Sequence, residues 1–374
     1  MAALDPKPES GSECDNNTDD DGDGWVNEGC PRVGSESESG KDCKNDTNDD
    51  RVDDTSDDDK VNDGCPPYVP RWIFPPDTEE GKKLDLEGIY GRPAIGGDSV
   101  YFAAYDDSVY ALDAKDGGER WHFRTGEPVV GAVTLTGDGR LYVGSRDAKL
   151  YVLDAKDGGE LQHFTTDDEI WSAPLVADDA VYVATAGGRL YALDRNTLAP
   201  VWDKPFDGGA GLISDPVLTD EGTILVGGFG KTLYSVDKAT GSQVWAFKAG
   251  NWFWGRPLLV NGTVYVPNLD RKVYALDVKT GEEKWQTPFQ AQAPVRSSPL
   301  LADDILIVSD GHGNVYGLHP EDGTLVWSGP SLLGKTVLSD PLLLDDKVLI
   351  VAEGGDLFQI DPQVGTSTLV RVVK

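Results

Sequence analysis

The sequence has little of several kinds of residue, and each scarcity excludes a class of protein. No run of about 18 apolar residues occurs, so a transmembrane helix is not expected. The 33 Lys and Arg residues are outnumbered by 65 Asp and Glu residues, which gives a net charge of −32. Nucleic acids and anionic membrane surfaces attract basic proteins. Neither is therefore expected as a partner, and the acidic balance favours divalent cations instead.

Residues and motifs that commonly perform catalysis are also scarce. The chain has four histidines and contains no Gly-x-Ser-x-Gly, P-loop or His-Glu-x-x-His motif. His122 and His163 occupy matching positions of a repeat described below, which indicates a structural role. His312 and His319 fall near one loop and are expected on the surface. The sequence therefore predicts a protein that is not an enzyme.

The four cysteines all lie in the first 67 residues, which contain 21 acidic and 6 basic residues. An even number of cysteines in a small, loop-rich segment is typical of disulfides in extracellular proteins. Three pairings are possible, and we favour the one between sequence neighbours, Cys14–Cys30 and Cys43–Cys65. The first residues show no charged stretch followed by an apolar one, so the chain is expected to be cytoplasmic or to have lost an export signal. The cysteines favour a periplasmic, cell-surface or extracellular location.

The acidic loop between Cys14 and Cys30 has the spacing of calcium ligands. Its candidate ligands are Asp19, Asp21, Asp23, the backbone carbonyl of Trp25, and Asn27. Alternating carboxylates before Gly24 direct several oxygens toward one hard cation, so Ca²⁺ is predicted here. The loop resembles thrombospondin type-3-like calcium loops, although Cys30 stands where an EF-hand loop has glutamate. A second copy, with Asp57 and Asp59, lacks the central glycine, and the alternative for the whole segment is an acidic linker.

Beyond the acidic segment, one pattern recurs seven times. Its aromatic anchors are Tyr110, Tyr151, Tyr191, Tyr234, Tyr274, Tyr316 and Phe358. Their spacing of 40–43 residues is the length of one four-stranded propeller blade. The sequence thus predicts an all-β, seven-bladed β-propeller over residues 68–374, preceded by the short, loop-rich Cys/Asp module of residues 1–67. A spare strand at residues 72–74 is expected to help close the ring, and an eight-bladed ring is the alternative.

A tryptophan recurs late in the repeat and is expected to wedge between neighbouring blades. It is present as Trp121, Trp202, Trp245, Trp285 and Trp327, whereas Gln162 and Leu369 take its place in the second and seventh repeats. The turn before it has the form Asp-x-x-(Thr/Asp)-Gly in most repeats. Its glycine can adopt a positive φ, and its aspartate can accept hydrogen bonds from turn amides.

This Ala-x-Asp-x-x-(Thr/Asp)-Gly-x-x-x-Trp pattern resembles the tryptophan-docking motif of PQQ-like repeat propellers, over roughly residues 69–370. That family includes quinoprotein alcohol dehydrogenases and the BamB-type outer-membrane assembly lipoproteins. The dehydrogenases resemble the chain in their repeats, but they have an adjacent cysteine pair, Glu, Asn and Asp ligands for Ca²⁺, and long insertions between blades. The repeats here contain no cysteine and leave no room for such insertions. PQQ is therefore not expected as a cofactor.

The segments before the first strand of each blade should meet at one mouth of a central channel. They place Tyr90, Trp171, Trp254 and Arg296 at the mouth, with Trp252 and Phe253 exposed beside them, and Arg92, Asp215, Arg256 and Asp340 in the channel below. The loops between second and third strands should open on the same side. They offer Tyr105, Asp106, Asp107, Arg146, Phe229, Asp270, Arg271, Asp310, His312 and Asn314. Aromatic residues and arginines are common binding hot spots, but the tryptophans could also simply plug the channel.

Three functions compete at this stage. The resemblance implies a non-enzymatic, monomeric binding scaffold of the cell envelope or surface, which docks a protein partner on the propeller and has calcium-stabilised N-terminal loops. A PQQ-dependent, dehydrogenase-like enzyme is the first alternative. The second is an adhesin that binds carbohydrate or cell wall by stacking sugars on Trp171 and Trp254.

Overall fold

The computed structural model describes Phe74, Leu86, residues 88–344 and residues 346–371. Nearly all of them belong to one compact unit, Asp85–Ala114 with Gly118–Thr368. The other unit comprises Met1–Leu84, Lys115–Gly117 and Leu369–Lys374, and most of it is outside the described residues. The predicted disulfides, calcium loops and first residues of the closing strand are also outside them. Those predictions, and the domain boundary after residue 67, stay predictions.

The described residues form seven four-stranded antiparallel sheets, each built from consecutive strands. Blades 1 to 4 comprise β1 (Ala94–Gly96), β2 (Ser99–Ala103), β3 (Ser108–Asp113), β4 (Glu119–Arg124), β5 (Thr134–Leu135), β6 (Arg140–Gly144), β7 (Lys149–Asp154), β8 (Glu160–Thr165), β9 (Leu175–Ala177), β10 (Ala180–Ala184), β11 (Arg189–Asp194), β12 (Phe206–Asp207), β13 (Val217–Leu218), β14 (Thr223–Gly227), β15 (Thr232–Asp237) and β16 (Gln243–Lys248). Blades 5 to 7 comprise β17 (Leu258–Val260), β18 (Thr263–Asn268), β19 (Lys272–Asp277), β20 (Phe289–Gln290), β21 (Leu300–Ala302), β22 (Ile305–Ser309), β23 (Asn314–Leu318), β24 (Ser331–Leu332), β25 (Leu342–Leu344), β26 (Lys347–Val351), β27 (Leu357–Ile360) and β28 (Ser367–Arg371).

The sheets have the arrangement of propeller blades. The first strands of neighbouring blades contact one another, as β1 contacts β5 and β9 contacts β13, so the first strands lie innermost. The two middle strands of most blades are almost completely buried, because β-branched and aromatic side chains on both of their surfaces pack against adjacent blades. The prediction of an all-β, seven-bladed propeller is therefore confirmed. Within the described residues, no helix has the length and apolar character that crossing a membrane requires.

The recurring tryptophan docks five of the blades onto the next one. Its indole Nε1 donates a hydrogen bond of 2.9–3.1 Å to a backbone carbonyl in the following repeat's turn. The acceptors are Ala155, Lys238, Val278, Pro320 and Pro362. The indole lies against the turn's glycine, and a Cβ added to Gly281 would be 2.6 Å from the ring of Trp245. Gly281 has a φ of 72°, so this turn needs glycine both for its backbone and for space.

The junction between blades 2 and 3 lacks both the tryptophan and the turn glycine. Gln162 replaces the tryptophan of blade 2, and Leu198 replaces the glycine in the turn of blade 3. Leu198 keeps the turn's positive φ, at 56°, and its amide donates to the Asp194 carbonyl as the glycines of other turns do. Its side chain is buried in a cluster with Tyr142 and other residues of blades 2 and 3. Leucine therefore fills the space that an indole occupies at the other docked junctions.

Proline shortens the outermost strand of blades 3, 5 and 6. In each of them a proline follows the tryptophan by three positions, as Pro205, Pro288 and Pro330 do. Proline has no N–H to donate to a strand ladder, so the regular pairing of the outermost strand begins only after the proline, at Phe206, Phe289 and Ser331. β12, β20 and β24 consequently contain 2 residues each, whereas β4, β8 and β16 contain 6. An outermost strand that contains the tryptophan is thus found in blades 1 and 4, whereas in blades 3, 5 and 6 the tryptophan precedes the strand.

Candidate functional site

The segments that precede the first strands meet at the propeller axis with little space between them. A Cβ on Gly91 would be 2.5 Å from the carbonyl oxygen of Gly131, and one on Gly131 would be 2.6 Å from that of Ser172. A Cβ on Gly255 would likewise be 2.6 Å from the carbonyl oxygen of Arg296. Because real Cβ contacts are not this short, the small residues at these places allow neighbouring blades to meet.

Hydrogen bonds between blades link the channel residues around the axis. The Ala173 amide donates to the Asp215 carboxylate at 2.7 Å, and the Ser298 amide donates to the Asp340 carboxylate at 2.6 Å. The Arg256 amide donates to the Ser298 hydroxyl at 3.0 Å. An ion pair of 3.6 Å between Arg92 and Asp340 joins blade 1 to blade 7. Both channel carboxylates therefore already accept hydrogen bonds from neighbouring blades.

Burial changes the protonation of two channel groups. The pKa of Asp215 is raised, mainly because burial penalises its charged form; Asp340 adds repulsion, while the Ala173 amide and nearby arginines partly oppose the shift. The pKa of Arg256 is lowered, again mainly by burial and then by repulsion from Arg92. Asp215 and Arg256 thus lie in a poorly solvated part of the channel.

Aromatic side chains from three blades pack together at the mouth. The ring centres of Trp171 and Trp254 are 6.2 Å apart, and those of Trp171 and Phe229 are 5.6 Å apart with nearly perpendicular planes. Phe229 also contacts Trp252, with ring centres 4.7 Å apart. Such edge and tilted contacts are favourable arrangements of aromatic rings. Trp252 remains 39% exposed, so the group presents apolar surface to solvent.

Arg146 continues the group toward blade 1. Its guanidinium donates to the Glu169 carboxylate at 2.9 Å and to the Tyr105 hydroxyl at 2.7 Å, and it lies 6.0 Å from the centre of the Trp171 ring. The indole of Trp171 donates to the same carboxylate at 2.6 Å. These hydrogen bonds lower the pKa of Glu169, so the carboxylate stays ionised and remains hydrogen-bonded to Arg146 and Trp171. Tyr105 in turn meets Tyr90, with ring centres 5.6 Å apart.

Arg296 extends the group to blade 6. Its guanidinium carbon lies 4.0 Å from the centre of the Trp254 ring, which is a close cation–π contact. Burial lowers the pKa of Arg296. The contact links blade 6 to blade 5, so successive contacts connect six blades. We call this group the mouth cluster, and its members are Tyr90, Tyr105, Arg146, Glu169, Trp171, Phe229, Trp252, Trp254 and Arg296.

The structure brings most of the sequence-predicted mouth residues together but corrects one of them. Phe253 is completely buried rather than exposed, because it packs against Gly227 in the core between blades 4 and 5. Tyr90 contacts Tyr105, and Arg146 links Tyr105 to Trp171. The sequence placed these residues on the same side without assigning contacts. Glu169 was not singled out by sequence reasoning. Its position two residues before Trp171 is the only signal that could have indicated it.

Several loop aspartates near the mouth have structural partners. The Tyr110, Tyr151 and Tyr274 hydroxyls each donate at 2.6 Å to a loop carboxylate, and their pKa values are raised, mainly by burial. The acceptors are Asp106, Asp147 and Asp270. Asp310 is completely buried and accepts hydrogen bonds from Asn314 and Tyr316. These hydrogen bonds hold the loops in place.

The repeats match a known family. The family model described as outer membrane protein assembly factor BamB matches residues 72–138, 106–210 and 201–361. The chain belongs to this family. Its match to one curated relative, the outer membrane protein assembly factor BamB of Burkholderia pseudomallei (strain K96243), is 26% identical over 192 residues. That match spans 46% of the chain and 49%, about half, of the relative's own length.

Solved structures with the same fold differ widely from the chain in sequence. BamB from Moraxella catarrhalis is 20% identical, with a TM-score of 0.64 over 78% of this chain and 88% of that one. The computationally designed protein Ika8 is 17% identical, with a TM-score of 0.65 over 76% of this chain and 86% of that one. Identities this low establish the propeller fold alone. They leave the function to be argued from the mouth cluster.

Proposed function

We propose that the chain is a non-enzymatic scaffold of the cell envelope or surface, which docks a protein partner on the propeller around the mouth cluster. The main support is that six blades contribute aromatic and arginine side chains to one partly exposed group. Such residues are enriched at the energetic centres of protein interfaces. The matching family model and the Burkholderia pseudomallei relative are both described as outer membrane protein assembly factor BamB, which agrees with a docking role rather than a catalytic one.

The channel favours a scaffold over a quinone-dependent enzyme. A quinone held with a divalent cation on the axis would need free carboxylates there. Asp215 accepts the Ala173 amide, and Asp340 accepts the Ser298 amide and pairs with Arg92. Asp340 would have to give up contacts between blades to bind a metal, and burial opposes the ionisation of Asp215 that metal binding requires. We therefore propose that this channel does not hold PQQ.

The mouth cluster also favours protein over carbohydrate. Sugar stacking needs an open aromatic face, but Arg296 lies over the Trp254 ring at 4.0 Å. Trp171 is in contact with Phe229, Trp254 and Arg146. Trp252 is the most exposed of these tryptophans, and a single exposed indole suits a protein interface as well as a sugar. We therefore rank an adhesin second.

Site-specific crosslinking tests the docking proposal. A photo-reactive amino acid replaces Trp252 in one protein and Leu161, which is 49% exposed on the outer strand of blade 2, in a control. Irradiation in an envelope extract should give a discrete protein adduct from position 252 only. Adding Trp254→Ala should weaken capture by about tenfold or more, as expected for a hot spot. Equal adducts from both positions, or an undiminished adduct in the double variant, would count against docking at the mouth.

We also propose that Ca²⁺ binds the N-terminal loop that contains Asp19, Asp21, Asp23, Trp25 and Asn27, with disulfides Cys14–Cys30 and Cys43–Cys65 framing the two acidic segments. Calorimetry of the oxidised full chain with Ca²⁺ should give a dissociation constant on the order of 10⁻⁴–10⁻³ M, typical of extracellular modules. Reduction, or Asp21→Asn combined with Asp23→Asn, should abolish the signal.

A matched control for the calcium test is Asp346→Asn, which removes an exposed carboxylate from the propeller. This control should bind Ca²⁺ like the unchanged protein. Equal heats from the Asp21/Asp23 variant and the unchanged protein would show that the loop is not the site.

A further inference from the structure

Arg296 is a poorly solvated cation without an anionic partner among the described residues. It forms no ion pair or side-chain hydrogen bond within that part of the chain, and its contact is the face of Trp254 at 4.0 Å. Burial lowers its pKa, and only the Tyr90 hydroxyl opposes this effect. A charge that is partly removed from water is costly unless an anion or several hydrogen bonds compensate it. The mouth therefore has a guanidinium that an incoming anion would stabilise.

Arg256 adds a second positive charge close by. It lies two residues after Trp254, and burial lowers its pKa despite the attraction of Asp215 and Asp340. Those two carboxylates do not neutralise the mouth, because Asp340 is paired with Arg92 and the pKa of Asp215 is raised by burial. Arg256 too makes no ion pair within the part of the chain that the structure describes.

The remaining carboxylate of the mouth cluster is already neutralised. Glu169 accepts hydrogen bonds from Arg146 and from the Trp171 indole. The surface around Arg296 is consequently a small positively charged site on a chain whose net charge is −32. A site of this kind favours binding of a ligand with a single negative charge, since the acidic remainder of the surface would repel a polyanion.

We infer that the mouth recognises a carboxylate of the docked protein, presented by an extended peptide segment with apolar side chains on either side of it. The guanidinium of Arg296 would donate two hydrogen bonds to the carboxylate, with Trp254 holding it in place. Exposed apolar side chains of the mouth cluster accompany Arg296: Tyr90 is 56% exposed and Trp252 39%. They suit the apolar neighbours of the carboxylate. This inference rests on the proposed docking function and specifies what the partner presents.

Calorimetry of the full chain with matched peptides tests the inference. The probes are blocked nine-residue peptides with a central Asp or Glu between Phe and Leu, and the same peptides with Asn or Gln instead. The acidic peptides should bind about tenfold more tightly, since a charge-assisted hydrogen bond is the difference. Arg296→Gln should remove this preference, and Arg296→Lys should keep part of it.

Arg124→Gln is the matched control, because it removes one positive charge from an exposed arginine outside the mouth cluster. It should keep the full preference, and circular dichroism should show that all variants are folded.

Equal binding of acidic and amide peptides, or no binding of either, would overturn the inference, as would a full preference in Arg296→Gln. If both peptide forms bind equally and Trp252→Ala weakens both, docking at the mouth stands without carboxylate recognition. Tighter binding of an oligogalacturonate than of the acidic peptides would overturn the assignment to a peptide.

Discussion

Trp245→Ala is expected to destabilise the propeller by about 3–5 kcal/mol, the usual cost of deleting a large buried aromatic side chain. Trp245 is 7% exposed and lies between blades 4 and 5, over the turn glycine Gly281. Its removal leaves a cavity at the junction and deprives the Val278 carbonyl of the indole donor at 2.9 Å. Guanidinium chloride unfolding, followed by far-UV circular dichroism, measures the change.

Trp252→Ala is the matched control for this experiment. It also deletes an indole, but Trp252 is 39% exposed and makes no contact with a turn glycine. Its cost should stay below about 1 kcal/mol. Trp245→Phe should fall between the two, because it keeps a ring but loses the N–H donor. Equal losses for Trp245→Ala and Trp252→Ala would contradict the role assigned to tryptophan docking.

The second large effect is expected at the junction of blades 2 and 3. Gln162→Trp alone should destabilise the protein by about 1–3 kcal/mol, because the indole would enter space that Leu198 already fills. Leu198→Gly alone should cost about 2–5 kcal/mol for the buried leucine, less about 1 kcal/mol for relief of a φ of 56°. The double variant recreates the Trp/Gly pair found at five other junctions. It should therefore be more stable than the sum of the single changes implies.

A double-mutant cycle measures this coupling. Unfolding of the four proteins should give a favourable interaction of about 1–3 kcal/mol between the two changes. If the single effects add within about 0.5 kcal/mol, Leu198 does not occupy the place of the indole. A control cycle with Leu161→Ala in place of Gln162→Trp should be additive, since Leu161 is 49% exposed on the outer strand.

Much of the fold could be predicted from the sequence because its signals are local and repeated. The spacing of Tyr110 and its equivalents fixes one blade per repeat. The turn glycines mark where a positive φ is needed, and φ values of 72° at Gly241 and Gly281 confirm this. The outermost strands of blades 3, 5 and 6 were less predictable, although Pro205 and its equivalents contain the signal.

The candidate site was only partly predictable. The places of Trp171, Trp254 and Arg296 in the segments before the first strands predicted them at the mouth. Those places could not show that Arg296 covers Trp254, or that Arg146 joins Tyr105 to Glu169. The exposure expected for Phe253 was wrong, because the sequence of a short irregular segment does not reveal which side chain faces the neighbouring blade.

The sequence by itself determined the number of blades and the places of the tryptophans and turn glycines, since each depends on residues at fixed places within a repeat. Tertiary structure alone decided which side chains meet at the mouth. Those contacts join residues of different blades, and the close approach at Gly91, Gly131 and Gly255 sets how near the blades come. Arg296 lacks a carboxylate partner for the same reason. The arrangement of the blades places Arg296 over Trp254, and it places Glu169 beside Arg146.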